Sequence, residues 1–208
     1  MKLYYFDIYG RAEPTRFLLA HAKVDYEDVR ITGEKFAELK TTGELEFGQV
    51  PALTHDGKHL CQTWSILRYL GKLHGYYPED PVQAWKVDST LDAVEDYLQQ
   101  YFKMIFEKDE EKKEVLKAAW LKFAGQWLHV IEKRLEQNES QHYVVGSKMT
   151  IADFALACVA FNLILNEANP NFEDTKPHME KFPILVAYAA HLKEDLKEHL
   201  EKRAVRPY

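Results

Sequence analysis

The chain has 208 residues, 46% of them apolar, which is long enough to bury a sizeable core without disulfides or a structural metal. Its 27 lysines and arginines stand against 33 acids, and the net charge of -6 weighs against nucleic acid or an anionic membrane as the main partner. Cys61 and Cys158 lie far apart in apolar runs with no Cys-x-x-Cys pair, which argues against a disulfide framework or a dithiol redox centre and for a reducing compartment.

Lys2-Leu3-Tyr4-Tyr5-Phe6 is apolar or aromatic on both faces, the pattern of a strand covered on both sides. The chain opens on this strand, and no apolar run reaches the roughly 20 residues that span a bilayer, so a cytoplasmic protein is expected. Arg11-Ala12-Glu13-Pro14 leads into a helix from Thr15 to Ala22, with Pro14 in the first turn, where proline is tolerated. Tyr26 to Ile31 reads as a second strand and Glu34 to Lys40 as a short helix. Between Gln49 and Thr63 the chain compresses a proline corner, a hairpin and a helix start. Ala52–His55 and Lys58–Cys61 flank Asp56-Gly57, a dipeptide that supplies the positive φ of a tight primed turn. Pro51 opens the first of these strands, and a cis bond at that corner would turn the Val50 backbone N–H and C=O sideways. Thr63 reads as the N-cap of a helix running to about His74, whose open amides attract an anion. An extended backbone edge beside an anion socket suits a small acidic peptide.

The stretch Gly75 to Pro81 breaks the periodicity with two prolines and no apolar face, so a domain boundary is expected there, between residues 1–76 and 82–208. The first domain then reads βαβ-α-ββα and the second all-helical, an α/β plus all-α chain. Val87, Leu91, Val94, Leu98, Tyr101 and Ile105 recur at spacings of four and three along one long helix. Leu116, Trp120, Phe123, Trp127 and Ile131 mark a second. Thr150-Ile151-Ala152-Asp153 matches a capping box, with Met149 and Phe154 as its hydrophobic staple. It opens the nearly unbroken apolar run Phe154 to Leu165, expected to be one buried helix. Pro170, Pro177 and Pro183 chop the next segment, and Asp195 to Arg203 reads as a charged terminal helix.

Four segments carry a resemblance that covers the whole chain. Tyr5-Phe6-Asp7-Ile8-Tyr9-Gly10-Arg11-Ala12-Glu13, Gln49-Val50-Pro51, Gln62-Thr63 and Gly146 to Asp153, in this order, resemble the cytosolic glutathione S-transferases, sigma-like class. The resemblance implies a thioredoxin-like glutathione-binding domain, an all-α domain that adds an electrophile pocket and dimer contacts, and a homodimer. Glutathione is then a co-substrate. It also implies residue roles. Tyr5 would donate its hydroxyl to the glutathione sulfur, with Arg11 adding positive charge. Val50, after Gln49 and before Pro51, would pair its backbone with the cysteinyl unit, and Gln62 and Thr63 would hold the γ-glutamyl carboxylate. Asp96 would reach the γ-glutamyl amine from the partner chain. Lys40 would meet the glycyl carboxylate with Phe36 and Gln49 alongside, and Pro51 would complete the glutathione site; Phe36 stands where many sigma members carry tryptophan. The electrophile pocket implied by analogy is Phe6, Ile8, Tyr9, Leu98 and Phe102.

Elementary chemistry runs parallel to these roles. A free thiol with a pKa near 8.5 is only slightly ionised at neutral pH, so an enzyme that uses thiolate must stabilise it, and a phenol O–H at a strand end can. Standing alone, each residue also has a plainer reading: Tyr5 a strand aromatic, Thr63 a cap, Lys40 a solvated lysine, Asp96 a surface acid. Asp92, Glu95 and Asp96 share a helical face that related prostaglandin synthases use for a divalent ion, but a solvated acidic face is the simpler reading. The nine histidines show no ligand spacing, His55 and His59 merely flanking the hairpin turn, so no metal requirement is expected. Three functions fit: transfer of glutathione to small apolar electrophiles, isomerisation of prostaglandin H2, or a crystallin-like or ligand-carrying role without turnover. Against the second, the pocket tryptophan of prostaglandin D synthases aligns with Lys103.

Overall fold

The computed structural model describes residues 1–208. The first elements are β1 (Lys2–Phe6), a 3-10 turn (Gly10–Ala12), α1 (Glu13–His21), β2 (Glu27–Ile31), α2 (Gly33–Leu39), β3 (Ala52–His55), β4 (Lys58–Cys61) and α3 (Thr63–His74). The sheet order is β2-β1-β3-β4, with β1 parallel to β2 and antiparallel to β3. This is the expected thioredoxin-like βαβ-α-ββα unit. Asp56 and Gly57 both have positive φ, +48° and +72°, and close the β3–β4 hairpin with His55 opposite Lys58. The Val50–Pro51 peptide bond is cis.

Side-chain alternation along β1 separates two cores. Leu3 and Tyr5 belong to a cluster of 45 buried residues that continues through α1 and α3 into the helical half. Tyr4 and Phe6 face the other way, onto a five-residue cluster of Ile31, Leu39, Leu45, Ala52 and Cys61 against which Phe36 also packs.

The rest is helical: α4 (Pro81–Ile105), α5 (Glu110–Glu136), α6 (Ile151–Cys158), α7 (Phe172–Met179), α8 (Pro183–Asp195) and α9 (Lys197–Lys202). Asp80 and Asp109 start α4 and α5 as side-chain caps, accepting from Gln83 N–H at 2.8 Å and Lys112 N–H at 3.1 Å. Val87, Leu91, Val94, Leu98 and Tyr101 are buried as the seam requires, and Trp120, Trp127 and Ile131 meet them from α5. No helix is long and apolar enough to cross a membrane.

Asp153 closes the capping box and does more. Fully buried, its carboxylate accepts from Thr150 N–H at 2.7 Å, Thr150 Oγ1 at 3.0 Å, Val144 N–H at 2.8 Å and the Tyr188 hydroxyl at 2.8 Å. It ties the α5–α6 connection and α8 to the start of α6. Gly71 lets α3 approach the same turn, since a Cβ there would sit 2.5 Å from Ile151 Cγ2.

Three expectations need correction. The apolar run Phe154 to Leu165 is not one α-helix: α6 ends at Cys158 and Val159–Ile164 continue as a π-helix. Its carbonyls have partners outside the helix, Asn166 and Asn169 on Asn162 O and Arg203 on Phe161 O, which supports the wider turn. The segment with the prolines is also helical, because Pro183 takes the first turn of α8, while Pro177 lies within α7. The terminal helix is shorter than Asp195 to Arg203: α8 ends at Asp195 and a single short helix, Lys197–Lys202, comes after it.

Candidate active site

An open cleft of about 630 Å³ lies between the C-terminal end of β1 and the N-terminal end of α3. Tyr5, Phe6 and Arg11 enter it from the first strand and the turn after it. Phe36 comes from α2, Gln49, Val50 and Pro51 from the corner before β3, Gln62, Thr63 and Trp64 from the start of α3, and Glu95 and Gln99 from α4.

The Tyr5 hydroxyl accepts the backbone N–H of Arg11 at 3.1 Å. Burial pushes its pKa up, while that hydrogen bond and the charges of Arg11 and Arg16 pull it back; the net direction is upward. Tyr5 is therefore a neutral O–H at neutral pH, a donor rather than a second anion. The tight 3-10 turn is what brings Arg11 N–H onto it. Gly10 has φ +45°, and a Cβ at that position would lie 2.7 Å from both Cε1 and Oη of Tyr5. Beneath the turn, the buried Arg16 donates through Nη1 to the carbonyls of Ile8 and Tyr9, each at 3.1 Å, and to Glu13 at 3.0 Å.

The Arg11 side chain is fixed as well. Its Nη2 lies 2.5 Å from Glu95 Oε1, and its guanidinium carbon sits 5.1 Å from the Phe102 ring centroid. Glu95 also accepts from Trp64 Nε1 at 3.0 Å and Gln99 Nε2 at 3.2 Å.

On the opposite side, neither the N–H nor the C=O of Val50 bonds to another backbone group, which leaves an open peptide ledge beside the cleft. Thr63 is not the N-cap of α3. Gln62 holds that position with φ +72° and ψ 116°, no side chain caps the helix, and Thr63 is its first residue. The amides of the first turn have no intrahelical acceptor and form an anion-binding end. Gln62 Nε2 donates to Gln49 Oε1 at 3.3 Å.

The structure thus brings together Tyr5, Arg11, Phe36, Gln49, Val50, Pro51, Gln62, Thr63 and Phe6. Lys40 is exposed with Nζ 4.4 Å from the Phe36 ring centroid, and Asp96 is exposed on α4; neither lines the cleft within one chain. Of the expected electrophile pocket, Ile8, Tyr9, Leu98 and Phe102 do not line it either. Leu98 is 1% exposed in the α4 seam, and Phe102 lies under Arg11. Tyr9 is 4% exposed, turned inward so that its hydroxyl meets backbone groups of the C-terminal segment. Trp64, Gln99 and Gly10 are site residues that the sequence did not single out as such, and Glu95, read from the sequence as part of a solvated acidic face, lines the cleft and pairs with Arg11.

The glutathione S-transferase N-terminal domain model matches residues 1–72, and the C-terminal domain model matches residues 95–203. The chain belongs to the glutathione S-transferase family. "Glutathione S-transferase P" of Caenorhabditis elegans is 33% identical over 98% of this chain and 93% of its own length. Among solved structures, the prostaglandin synthase D of Nilaparvata lugens matches with TM-score 0.82 and 27% identity, covering 99% of this chain and 98% of its own. The monomeric Na-GST-3, a glutathione S-transferase of Necator americanus, matches with TM-score 0.84 and 28% identity, covering 100% and 98%. In this transferase family glutathione is the co-substrate, and the cleft has the donors such a peptide needs: a phenol, a peptide ledge and a helix N-terminus.

Proposed function

We propose that this protein conjugates glutathione to small apolar electrophiles, in the manner of the sigma-like class, with Tyr5 stabilising the thiolate. The observation that carries the reading is the Tyr5 hydroxyl: a neutral donor at the cleft wall, its lone pair already engaged by Arg11 N–H. The glutathione thiol would lose its proton to solvent, and the resulting anion, accepting a hydrogen bond from the Tyr5 O–H, would attack an electrophilic carbon, forming the C–S bond as the leaving group departs with its electron pair. Val50 would pair with the cysteinyl unit, and Gln62 with the Thr63 amide would hold the γ-glutamyl carboxylate. The exposed Lys40 is within reach of a chain end extending past Phe36. Asp96 needs a second copy to act, so a homodimer is part of the proposal.

Tyr5→Phe is expected to leave glutathione affinity nearly unchanged and to lower turnover of a chlorinated aromatic substrate by about 100-fold to 1000-fold, the range for losing one donor to a developing anion. Wild-type turnover would show that another group ionises the thiol.

The likeness to a prostaglandin synthase D favours a second reading, isomerisation of prostaglandin H2 by the same thiolate. Lys103, exposed on α4, stands where prostaglandin D synthases carry a pocket tryptophan, which weakens it. Incubation with prostaglandin H2 and glutathione separates the two readings, and no turnover of either substrate class would leave the ligand-carrier role.

A further inference from the structure

Beyond the end of α9, residues 203–208 lie along the loop 7–10 that separates Tyr5 from Arg11. Tyr9 is the centre of the contact. Its N–H donates to Tyr208 O at 2.9 Å, and its hydroxyl donates to Ala204 O at 3.0 Å while accepting from Arg206 N–H at 3.1 Å. Arg206 reaches Asp7 twice, Nε to the carbonyl at 3.2 Å and Nη2 to the carboxylate at 2.7 Å. The Arg203 guanidinium carbon sits 4.0 Å from the Tyr9 ring centroid. Asn166 Nδ2 donates to Arg206 O at 2.9 Å and anchors the segment to the helical half.

We propose that residues 203–208 act as a strap that positions the Arg11 amide against the Tyr5 hydroxyl, with Arg206 and Tyr9 as positioning residues. The inference rests on Tyr5 being the donor to the thiolate. Tyr9 lies two residues before Arg11, and Gly10 between them has no room to shift toward Tyr5, since a Cβ there would already lie 2.7 Å from the ring and hydroxyl. Arg16 binds the carbonyls of Ile8 and Tyr9, and the strap binds the N–H and hydroxyl of Tyr9, so both the acceptors and the donors of the loop are engaged. Catalytic groups must sit within about 0.5 Å of their working geometry, and a displacement of about 1 Å can cost 10²-fold in rate. The Arg206–Asp7 pair is partly exposed, at 32% and 56% of the side-chain surfaces, so it adds little to global stability. Its consequence is local.

The test compares wild type, Tyr5→Phe, Arg206→Ala, Arg206→Lys and a chain lacking 204–208, each saturated with glutathione. The readouts are the pH midpoint of bound thiolate, from its ultraviolet absorbance, and kcat separately from the KM for glutathione. Arg206→Ala and the truncation are expected to raise the thiolate midpoint and lower kcat by about 10-fold, which corresponds to roughly 1 pH unit, with KM nearly unchanged. Arg206→Lys should recover part of the loss. A purely structural role would lower melting temperature and leave the midpoint of the folded fraction in place, which overturns the strap. If Tyr5→Phe moves the midpoint and neither strap variant does, the strap is wrong and the Tyr5 reading stands. If Tyr5→Phe leaves the midpoint unmoved, the Tyr5 reading fails and the strap with it. Should the truncation fail to fold by circular dichroism, Arg206→Ala decides alone.

Discussion

At Gly10 the backbone has room for hydrogen and nothing larger. A methyl group there would meet the Tyr5 ring and hydroxyl at 2.7 Å, and φ +45° is a conformation that L side chains rarely adopt. Gly10→Ala is expected to cost about 1–3 kcal/mol of stability and to lower turnover at least as much as Tyr5→Phe, because the ring it displaces carries the donor. Thermal melts and steady-state kinetics on one preparation check this, and unchanged turnover would mean the loop yields without moving Tyr5. This scale was half legible. Tyr5, Arg11 and the corner before Pro51 stood out because strand ends, turns and proline leave local marks. Tyr9 was expected in the electrophile pocket, but what turns it inward is a pair of backbone groups some 195 positions along the chain, and no local pattern announces them. Thr63 was misplaced by one residue: a hydroxyl before an apolar run is the usual cap signal, but Gln62 takes the boundary through its left-handed backbone rather than its side chain.

Among the elements, the start of α6 is the most specified. Each Asp153 oxygen faces one backbone N–H, Val144 on one side and Thr150 on the other, and a backbone donor cannot turn away. An asparagine would have to point its NH2 at one of them. Asp153→Asn should therefore destabilise about as much as Asp153→Ala, roughly 3 kcal/mol when the lost cap is added to a buried donor left unpaired. Glutathione affinity of the folded protein should be unaffected. Chemical denaturation with parallel titration measures both, and an asparagine variant as stable as wild type would show that the site tolerates a donor. This cap was readable because it spans four consecutive residues. Glu132 caps α8 in the same chemical sense, accepting from Ile184 N–H at 3.2 Å and Leu185 N–H at 2.7 Å, yet it comes from α5 and left no trace in the local sequence. The change to a π-helix after Cys158 was hidden for a related reason: an apolar run buried all round has no polar face from which its period can be read.

For the molecule as a whole, Glu13 links the two halves. It is buried, with Oε2 on Arg16 and Oε1 on His199 at 2.8 Å and on Arg203 at 2.9 Å. Burial alone would raise its pKa, but the His199 hydrogen bond and the charges of Arg16, His199 and Arg203 outweigh it and hold the carboxyl at about 2. In an unfolded chain the group titrates near 4.3. The folded state therefore binds this proton less tightly, and the stabilisation is present above the unfolded value and lost as pH falls toward about 2. Over that range it amounts to about 3 kcal/mol. Glu13→Gln should be less stable than wild type at neutral pH, with the gap closing as pH falls through this window. A gap independent of pH in denaturant titrations would place the effect in packing rather than charge.

The 45-residue core that crosses from the sheet half into the helices bears on how the chain is made. Synthesis runs from the amino end, so α1 and α3 leave the ribosome before α6, against which both pack. At about 5–20 residues per second, the stretch from Gly75 to Ile151 takes roughly 4–15 s to translate. During that interval α1 and α3, with Phe17, Leu18, Ile66 and Leu70 among their core residues, lack the α6 helix they pack against. The nascent sheet half is then a sticky surface, and the yield of folded protein depends on what shields it until α6 arrives.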